Sequence, residues 1–167
     1  MAQTAICSLR SLWKVPKPPE TMWRRFPLSA RISSSARGAW LARSWDICAI
    51  KDDVNVIMAK VLKADVICWA TPIYYYEMSG QMKTLIDRMN AVYEQDYQFR
   101  DVYLLTTAAE DEAETPKRAE MGLTGWIDCY PKSRLAGTLF CGGVNDAREI
   151  EGNPKLQEAY ELGLRIS

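Results

Sequence analysis

The chain has 167 residues, of which 48% are hydrophobic and 25% charged, a composition that fits one soluble globular domain. It contains no histidine, which excludes Ser-His-Asp and Cys-His catalysis, histidine metal sites and histidine proton shuttles. No apolar run approaches the ~20 residues of a membrane span. The five cysteines show no metal-ligand spacing, and no secretory apolar region is evident, so we expect a cytoplasmic protein without a metal site.

The net charge of zero conceals an uneven distribution along the chain. Residues 1–45 carry eight basic residues and one acid, a net charge of +7, whereas residues 46–167 carry −7. The first segment also holds four of the six tryptophans. This shift predicts two parts, an atypical and poorly ordered segment 1–45 and a folded domain 46–167.

Residues 46–167 alternate between helical and strand-like patterns. The first three predicted elements are a helix after Asp52-Asp53, a strand over 66–70 that ends at Thr71-Pro72, and a helix capped by Ser79. They are followed by a strand over 102–107, a helix over 112–130, a strand over 135–141 and a last helix capped by Asn153. The apolar runs over 66–70 and 102–107 predict burial on both faces. Strands alternating with helices predict a doubly wound parallel sheet in a three-layer α/β/α fold.

Two loops follow predicted strands at the edge where such sheets bind ligands, which is the carboxyl edge. The first spans residues 71–81 and contains three consecutive tyrosines, whose rings could flank a flat ligand. The second spans residues 106–110 and has small residues that let a ligand approach the backbone. The alternative is that the tyrosines only cover the sheet edge and that Ser79 is only a helix cap.

Three stretches carry a resemblance to a known family. They are Ala64-Asp65-Val66-Ile67, Ala70-Thr71-Pro72-Ile73-Tyr74 and Met78-Ser79-Gly80-Gln81-Met82-Lys83-Thr84-Leu85-Ile86-Asp87-Arg88. Together they resemble the flavodoxin-like NAD(P)H-dependent FMN reductases, a group that includes multimeric flavodoxins and iron–sulfur flavoproteins. The resemblance covers residues 48–165. It implies a flavodoxin-like fold and an FMN cofactor whose ring lies against the two loops. The cofactor-binding residues that it implies are Thr71, Pro72, Ile73, Tyr74, Tyr75, Tyr76, Met78, Ser79, Gly80, Gln81, Thr107 and Ala108.

The N-terminal segment departs from this family. Residues 1–45 show neither the family's first strand nor its glycine-containing phosphate loop, so the first βα unit is missing or degenerate. Back-translation of Trp13–Thr21, begun at the third base of the Trp13 codon, permits Glu-Ser-Pro-Lys-x-x-Gly-Asn, which is close to that loop. The same frame over residues 35–42 permits Cys-x-Gly-Cys-Leu-Ala-Cys, which is close to the family's cysteine stretch. We therefore hypothesise that residues 10–44 are a frame-shifted translation; a transit peptide, a nucleic-acid-binding arm and a solvated tail are the alternatives.

The resemblance implies an oxidoreductase that takes a hydride from NAD(P)H and passes electrons to a quinone or another small acceptor, with no side chain acting as a catalytic acid or base. It also implies a homodimer or tetramer, with no nucleic acid or membrane partner. The alternatives are a flavodoxin-type electron carrier without NAD(P)H activity and a cofactor-free remnant. Lys83 and Arg88 are predicted to lie on the polar side of their helix, where solvation or a subunit contact explains them.

Overall fold

The computed structural model describes residues 4–7, 22–25, 32, 34–37, 47–146 and 148–166. At its centre lies a sheet with the strand order β2-β1-β3-β5-β6, in which neighbours are parallel and β4 pairs antiparallel with β3. The strands are β1 (Thr4–Cys7), β2 (Met22–Arg25), β3 (Val66–Tyr74), β4 (Glu77–Met78), β5 (Asp101–Thr107) and β6 (Arg134–Cys141). Without the short β4, this order is that of flavodoxin-like doubly wound sheets, as predicted.

Helices cover both faces of the sheet. They are α1 (Val54–Leu62), α2 (Gly80–Arg88), α3 (Lys117–Asp128) and α4 (Lys155–Leu164), and a 3-10 turn (Met89–Val92) follows α2. Apolar residues of α1, α2 and α3 share one core with Ile67 and Trp69 of β3, whereas Leu162 of α4 packs on the opposite core with Val66 and Cys68. Alternate residues of β3 therefore enter different cores, which explains its unbroken apolar sequence.

The prediction that residues 1–45 contain no strand is wrong. Thr4–Cys7 and Met22–Arg25 pair in parallel, and Ala5 of β1 lies opposite Val66 of β3. A run as short as Ala5-Ile6-Cys7 gives no periodic signal in the sequence. In the sheet, however, it pairs with backbone groups of β3 that would otherwise form an open edge. The first strand of the βα unit is therefore present, and the segment that follows it lies outside the described residues.

Two predicted boundaries also differ from the structure. The strand predicted to stop at Thr71-Pro72 continues to Tyr74, and Pro72 lies opposite Thr107 of β5. Proline has no backbone donor and is depleted in strand interiors, so Thr71-Pro72 gives a stop signal that the structure does not follow. The helix predicted over 112–130 begins only at Lys117, after Pro116, because the residue before a proline disfavours helical geometry.

Among the residues that the structure describes, no helix is long and apolar enough to cross a membrane. Within the same residues, no group of three or more cysteine, aspartate or glutamate side chains is placed to hold a metal ion.

Candidate functional site

The strands β3, β5 and β6 end side by side at one edge of the sheet, at Tyr74, Thr107 and Cys141. The loop after β5 is bonded to the end of β6, because the backbone N–H of Ala108 donates to the carbonyl of Cys141 at 3.2 Å. The N–H of Val144 donates in turn to the carbonyl of Ala108 at 2.8 Å. These bonds give the site a fixed backbone along two of its strands.

The tyrosine run forms a hairpin, where the sequence predicts only a loop. Tyr74 of β3 pairs with Glu77 of β4, and the two residues between them, Tyr75 and Tyr76, have φ angles of 51° and 66°. Two residues with positive φ make a tight turn whose twist suits a hairpin, although asparagine and glycine usually occupy it. The absence of either residue hid the turn. As a result, Tyr75 projects from the edge and is 97% exposed.

The base of the hairpin is bonded to the start of α2. The Oγ1 atom of Thr71, which is fully buried, accepts from the backbone N–H of Ser79 at 2.9 Å and donates to the carbonyl of Pro72 at 2.9 Å. The Oγ atom of Ser79 accepts from the N–H of Met82 at 3.3 Å, which confirms the predicted cap. The sequence from Thr71 to Met82 therefore fixes the helix start beside the tyrosines.

A side-chain contact joins the two predicted ligand loops. The hydroxyl of Tyr76 donates to Oε1 of Glu110 at 3.3 Å, and the guanidinium carbon of Arg118 lies 5.7 Å from the centre of the Tyr76 ring. The hydrogen bond to Glu110, aided by the charge of this carboxylate, raises the pKa of Tyr76. Glu110 lies in the second predicted ligand loop, but the sequence assigns no site contact to it or to Arg118, because their partner Tyr76 lies more than 30 positions away in the chain.

Gly142, which follows β6, allows a close approach of the loop after β5. A Cβ atom at position 142 would lie 2.6 Å from the carbonyl oxygen of Glu110 and closer still to Asp111. A side chain there would force the loops apart. Glycine is therefore required at this position by packing.

The structure brings the twelve predicted site residues to one edge of the sheet, but it exposes them unequally. The side chains of Ile73 and Met78 belong to the core, so only their backbone is available to a ligand. The rings of Tyr74, Tyr75 and Tyr76 are exposed. At Gly80, the first residue of α2, a Cβ would meet no atom within 4 Å, so the helix start borders open space. Which of these residues contact a ligand stays a prediction.

The prediction that Arg88 lies on a polar helix face is wrong. Arg88 is 2% exposed and forms a bidentate ion pair with Asp52, at 2.5 and 2.7 Å. Its Nε atom also donates to Sγ of Cys48 at 3.3 Å. The segment before α1 covers this side of α2, an arrangement that helical periodicity alone does not reveal. Lys83, on the same helix, is exposed as predicted.

A cavity of about 620 Å³ lies at the opposite edge, between the amino ends of β3, β5 and β6, and its lining includes Arg100, Tyr103 and Arg134. Parallel α/β sheets bind their ligands at the carboxyl ends of strands, where the tyrosine hairpin lies. We therefore assign the candidate site to the hairpin edge.

Comparison with known proteins gives matches that agree with the resemblance. Residues 31–129 match the family profile described as NADPH-dependent FMN reductase. The iron–sulfur flavoprotein of Archaeoglobus fulgidus is 40% identical over 42 residues, which are 25% of this chain and 19% of that protein. The curated relatives are matched over only about a fifth of their own length, 22% and 19%. The family match begins at residue 31, so the domain boundary at 45 stays a prediction.

Solved structures with the same fold cover nearly the whole chain. An NAD(P)H:quinone oxidoreductase from Methanothermobacter marburgensis has a TM-score of 0.66 at 14% identity, covering 99% of this chain and 98% of that one. An FMN-dependent NADH-azoreductase from Bacillus anthracis, solved in complex with FMN, has a TM-score of 0.60 at 12% identity and covers 99% of both chains. At these identities the likeness confirms the α/β fold.

Proposed function

Because this chain belongs to the NADPH-dependent FMN reductase family, we propose that it is an FMN-dependent oxidoreductase that takes electrons from NAD(P)H and passes them to a quinone or another small acceptor. The observation that carries the proposal is the contact between Tyr76 and Glu110, which joins the two predicted flavin loops at the carboxyl edge. Ligands of doubly wound sheets bind at that edge.

The described residues fit a flat, electron-accepting ring. Tyr75 presents a side chain with almost no protein contacts, and Tyr74 beside it is also exposed. The space beside Gly80 lies at the amino end of α2, where unpaired N–H groups favour electron-rich acceptor atoms. Aromatic side chains and free backbone donors on one edge match the two needs of a flavin ring, which are stacking and hydrogen bonds.

In this proposal, bound FMN supplies the hydride acceptor. Tyr74 and Tyr75 would contact the ring, and the backbone of Thr71–Tyr74 and of Thr107-Ala108 would help to hold it. The chain needs no side-chain acid or base, in keeping with its lack of histidine. Thr71 and Ser79 act indirectly, since their hydrogen bonds hold the hairpin base against α2.

The phosphate of FMN is a separate question, because the segment that follows β1 lies outside the described residues. The sequence there lacks the family's glycine-containing loop, whose charge-assisted hydrogen bonds are each worth about 1.5–3 kcal/mol. We expect this chain to bind FMN weakly and to prefer it little over riboflavin. A protein whose residues 10–44 are translated in the corrected frame is expected to bind FMN more than a thousandfold more tightly than this chain does. The factor follows because each ~1.4 kcal/mol of binding free energy changes the affinity tenfold.

The exposed tyrosines also support self-association. We propose a homodimer or tetramer in which the hairpin edge lies near a subunit boundary, because three adjacent exposed aromatic side chains suit an isologous contact. The cytoplasmic location and the small-molecule acceptor belong to the same proposal. Sedimentation of the protein at micromolar concentration tests the assembly, and a monomer would count against it.

The ring site is tested by flavin titration of Tyr74→Ala and Tyr75→Ala, followed by quenching of flavin fluorescence. Stacking of an aromatic pair contributes about 0.5–1.5 kcal/mol, so each variant is expected to bind FMN about two- to tenfold more weakly. Val56→Ala, which removes an exposed apolar side chain from α1, is the matched control. Unchanged affinity in both tyrosine variants would mean that the tyrosines only cover the sheet edge.

A further inference from the structure

The turn at the tip of the hairpin is held in a conformation that its residues disfavour. Tyr75 and Tyr76 both have left-handed backbone angles, with φ of 51° and 66°, where a Cβ atom crowds the backbone. The adjoining antiparallel ladder is short, since Ile73 pairs with Met78 and Tyr74 with Glu77. Strained backbone persists only where the surroundings fix it, and it is concentrated at functional sites.

Contacts from two other elements fix this turn through Tyr76. The Tyr76 hydroxyl donates to Oε1 of Glu110 at 3.3 Å, and Arg118 of α3 lies over the Tyr76 ring at 5.7 Å. The loop of Glu110 is itself anchored, because Oε2 of Glu110 accepts from Oγ1 of Thr115 at 3.4 Å, and Thr115 is 3% exposed. Close packing of Gly142 against the backbone of Glu110 also restrains this loop.

We propose that Glu110 and Arg118 are positioning residues of the flavin site, which hold the strained Tyr75–Tyr76 turn in its binding conformation through contacts with Tyr76. The proposal rests on the proposed function, because it assumes that the turn meets the flavin ring. A turn held in advance spares the ligand the entropic cost of ordering it. Without these contacts, the turn relaxes toward right-handed backbone angles, and the exposed ring of Tyr75 loses its fixed position.

The holding of the turn is tested without any flavin, by amide hydrogen exchange of the full chain at residues 75–78. Loss of one hydrogen bond shifts the opening equilibrium of the turn about two- to tenfold. Amide exchange in Glu110→Ala is therefore expected to be faster by the same factor. Glu110→Gln keeps an acceptor for the Tyr76 hydroxyl and is expected to restore slow exchange. Glu114→Ala, a neighbouring acidic position, is the matched control. Equal exchange in Glu110→Ala and the control would overturn the proposal.

Relief of the backbone strain provides a second test. Tyr75→Gly accepts the left-handed angle without cost, so Glu110→Ala is expected to speed exchange less in that background than in the natural chain. An effect of Glu110→Ala that is as large with glycine as with tyrosine would overturn the view that the contact holds a strained turn.

The link to the ligand is tested by FMN titration of Glu110→Ala and of Arg118→Leu. Both are expected to weaken binding about two- to tenfold. Arg118→Leu is expected to leave the melting temperature close to that of Glu114→Ala, whereas Glu110→Ala also removes the acceptor of the buried Thr115 hydroxyl and is expected to lower it. If the natural chain binds no flavin, the proposed function fails, and the exchange data still report on the turn. If the natural chain binds FMN and both variants bind it equally well, the positioning role is refuted.

Discussion

Removal of the Arg88 guanidinium is expected to destabilise the protein far more than removal of a typical surface charge. The side chains of Arg88 and Asp52 are only 1% and 6% exposed, so both charges of this ion pair are shielded from water. The guanidinium also donates to the carbonyls of Ser34 and Ile50, each at 3.2 Å. It thereby joins α2 to the segment that precedes α1.

The size of the effect follows from what remains after Arg88→Met. The Asp52 carboxylate stays buried and loses both guanidinium donors. A buried pair broken on one side costs about 3–5 kcal/mol. Asp52→Asn removes the stranded charge and keeps an acceptor for the N–H of Val54, which now donates to Oδ1 of Asp52 at 3.1 Å. The double variant is therefore expected to regain most of the loss.

Urea unfolding followed by tryptophan fluorescence measures these differences as free energies of unfolding. Lys83→Met is the matched control, since Lys83 lies on the same helix and pairs with Asp87 while 56% exposed. An exposed pair of this kind contributes about 0.3–0.5 kcal/mol. If Arg88→Met lowers the free energy of unfolding by no more than Lys83→Met does, the buried pair does not join α2 to the preceding segment.

Three further predictions concern single positions. Gly142→Ala is expected to lose about 1–3 kcal/mol in thermal unfolding, because its Cβ would overlap the adjacent loop, whereas Gly125→Ala in α3, where a Cβ meets open space, gains about 0.5–1 kcal/mol. Thr71→Val leaves the buried N–H of Ser79 without its acceptor and costs about 1–3 kcal/mol in urea; Thr71→Ser keeps the acceptor and recovers most of that. Burial raises the pKa of Tyr130 to about 12, whereas in the unfolded chain it ionises at 10.0. Between these pH values the folded state keeps a proton that the unfolded state has lost, so stability falls by about 1.4 kcal/mol per pH unit. Tyr130→Phe removes the contribution of Tyr130 to this loss of stability. Stability that falls equally steeply with pH in the two proteins, measured by thermal unfolding at alkaline pH, would be inconsistent with this burial effect.

The strands β3 and β5 were predictable because burial on both faces leaves a strong apolar signal. Val66 to Ala70 is unbroken in the sequence and buried throughout in the structure. Ser79 was predictable as a cap, because its position before the apolar stripe of α2 gives it one local role. These features depend on residues that are neighbours in the chain, and such features can be deduced from the sequence.

What the sequence hid depends on distant partners. Arg88 has the spacing of an exposed residue on α2, and only the fold of the preceding segment buries it against Asp52. The Tyr75–Tyr76 turn carries no glycine or asparagine, so its left-handed angles could not be expected from residue type. The contact between Tyr76 and Glu110 requires two separate strands to end side by side, which the fold determines.

The flavin-dependent activity is tested most directly by anaerobic mixing of NADPH with the protein at saturating FMN, while the visible flavin absorbance is recorded. We expect the absorbance to bleach faster than that of the same FMN without protein, at a rate that saturates with NADPH and falls in Tyr75→Ala. Bound flavin that NADPH does not bleach would indicate an electron carrier instead. Bleaching no faster than that of free FMN would contradict the proposed oxidoreductase.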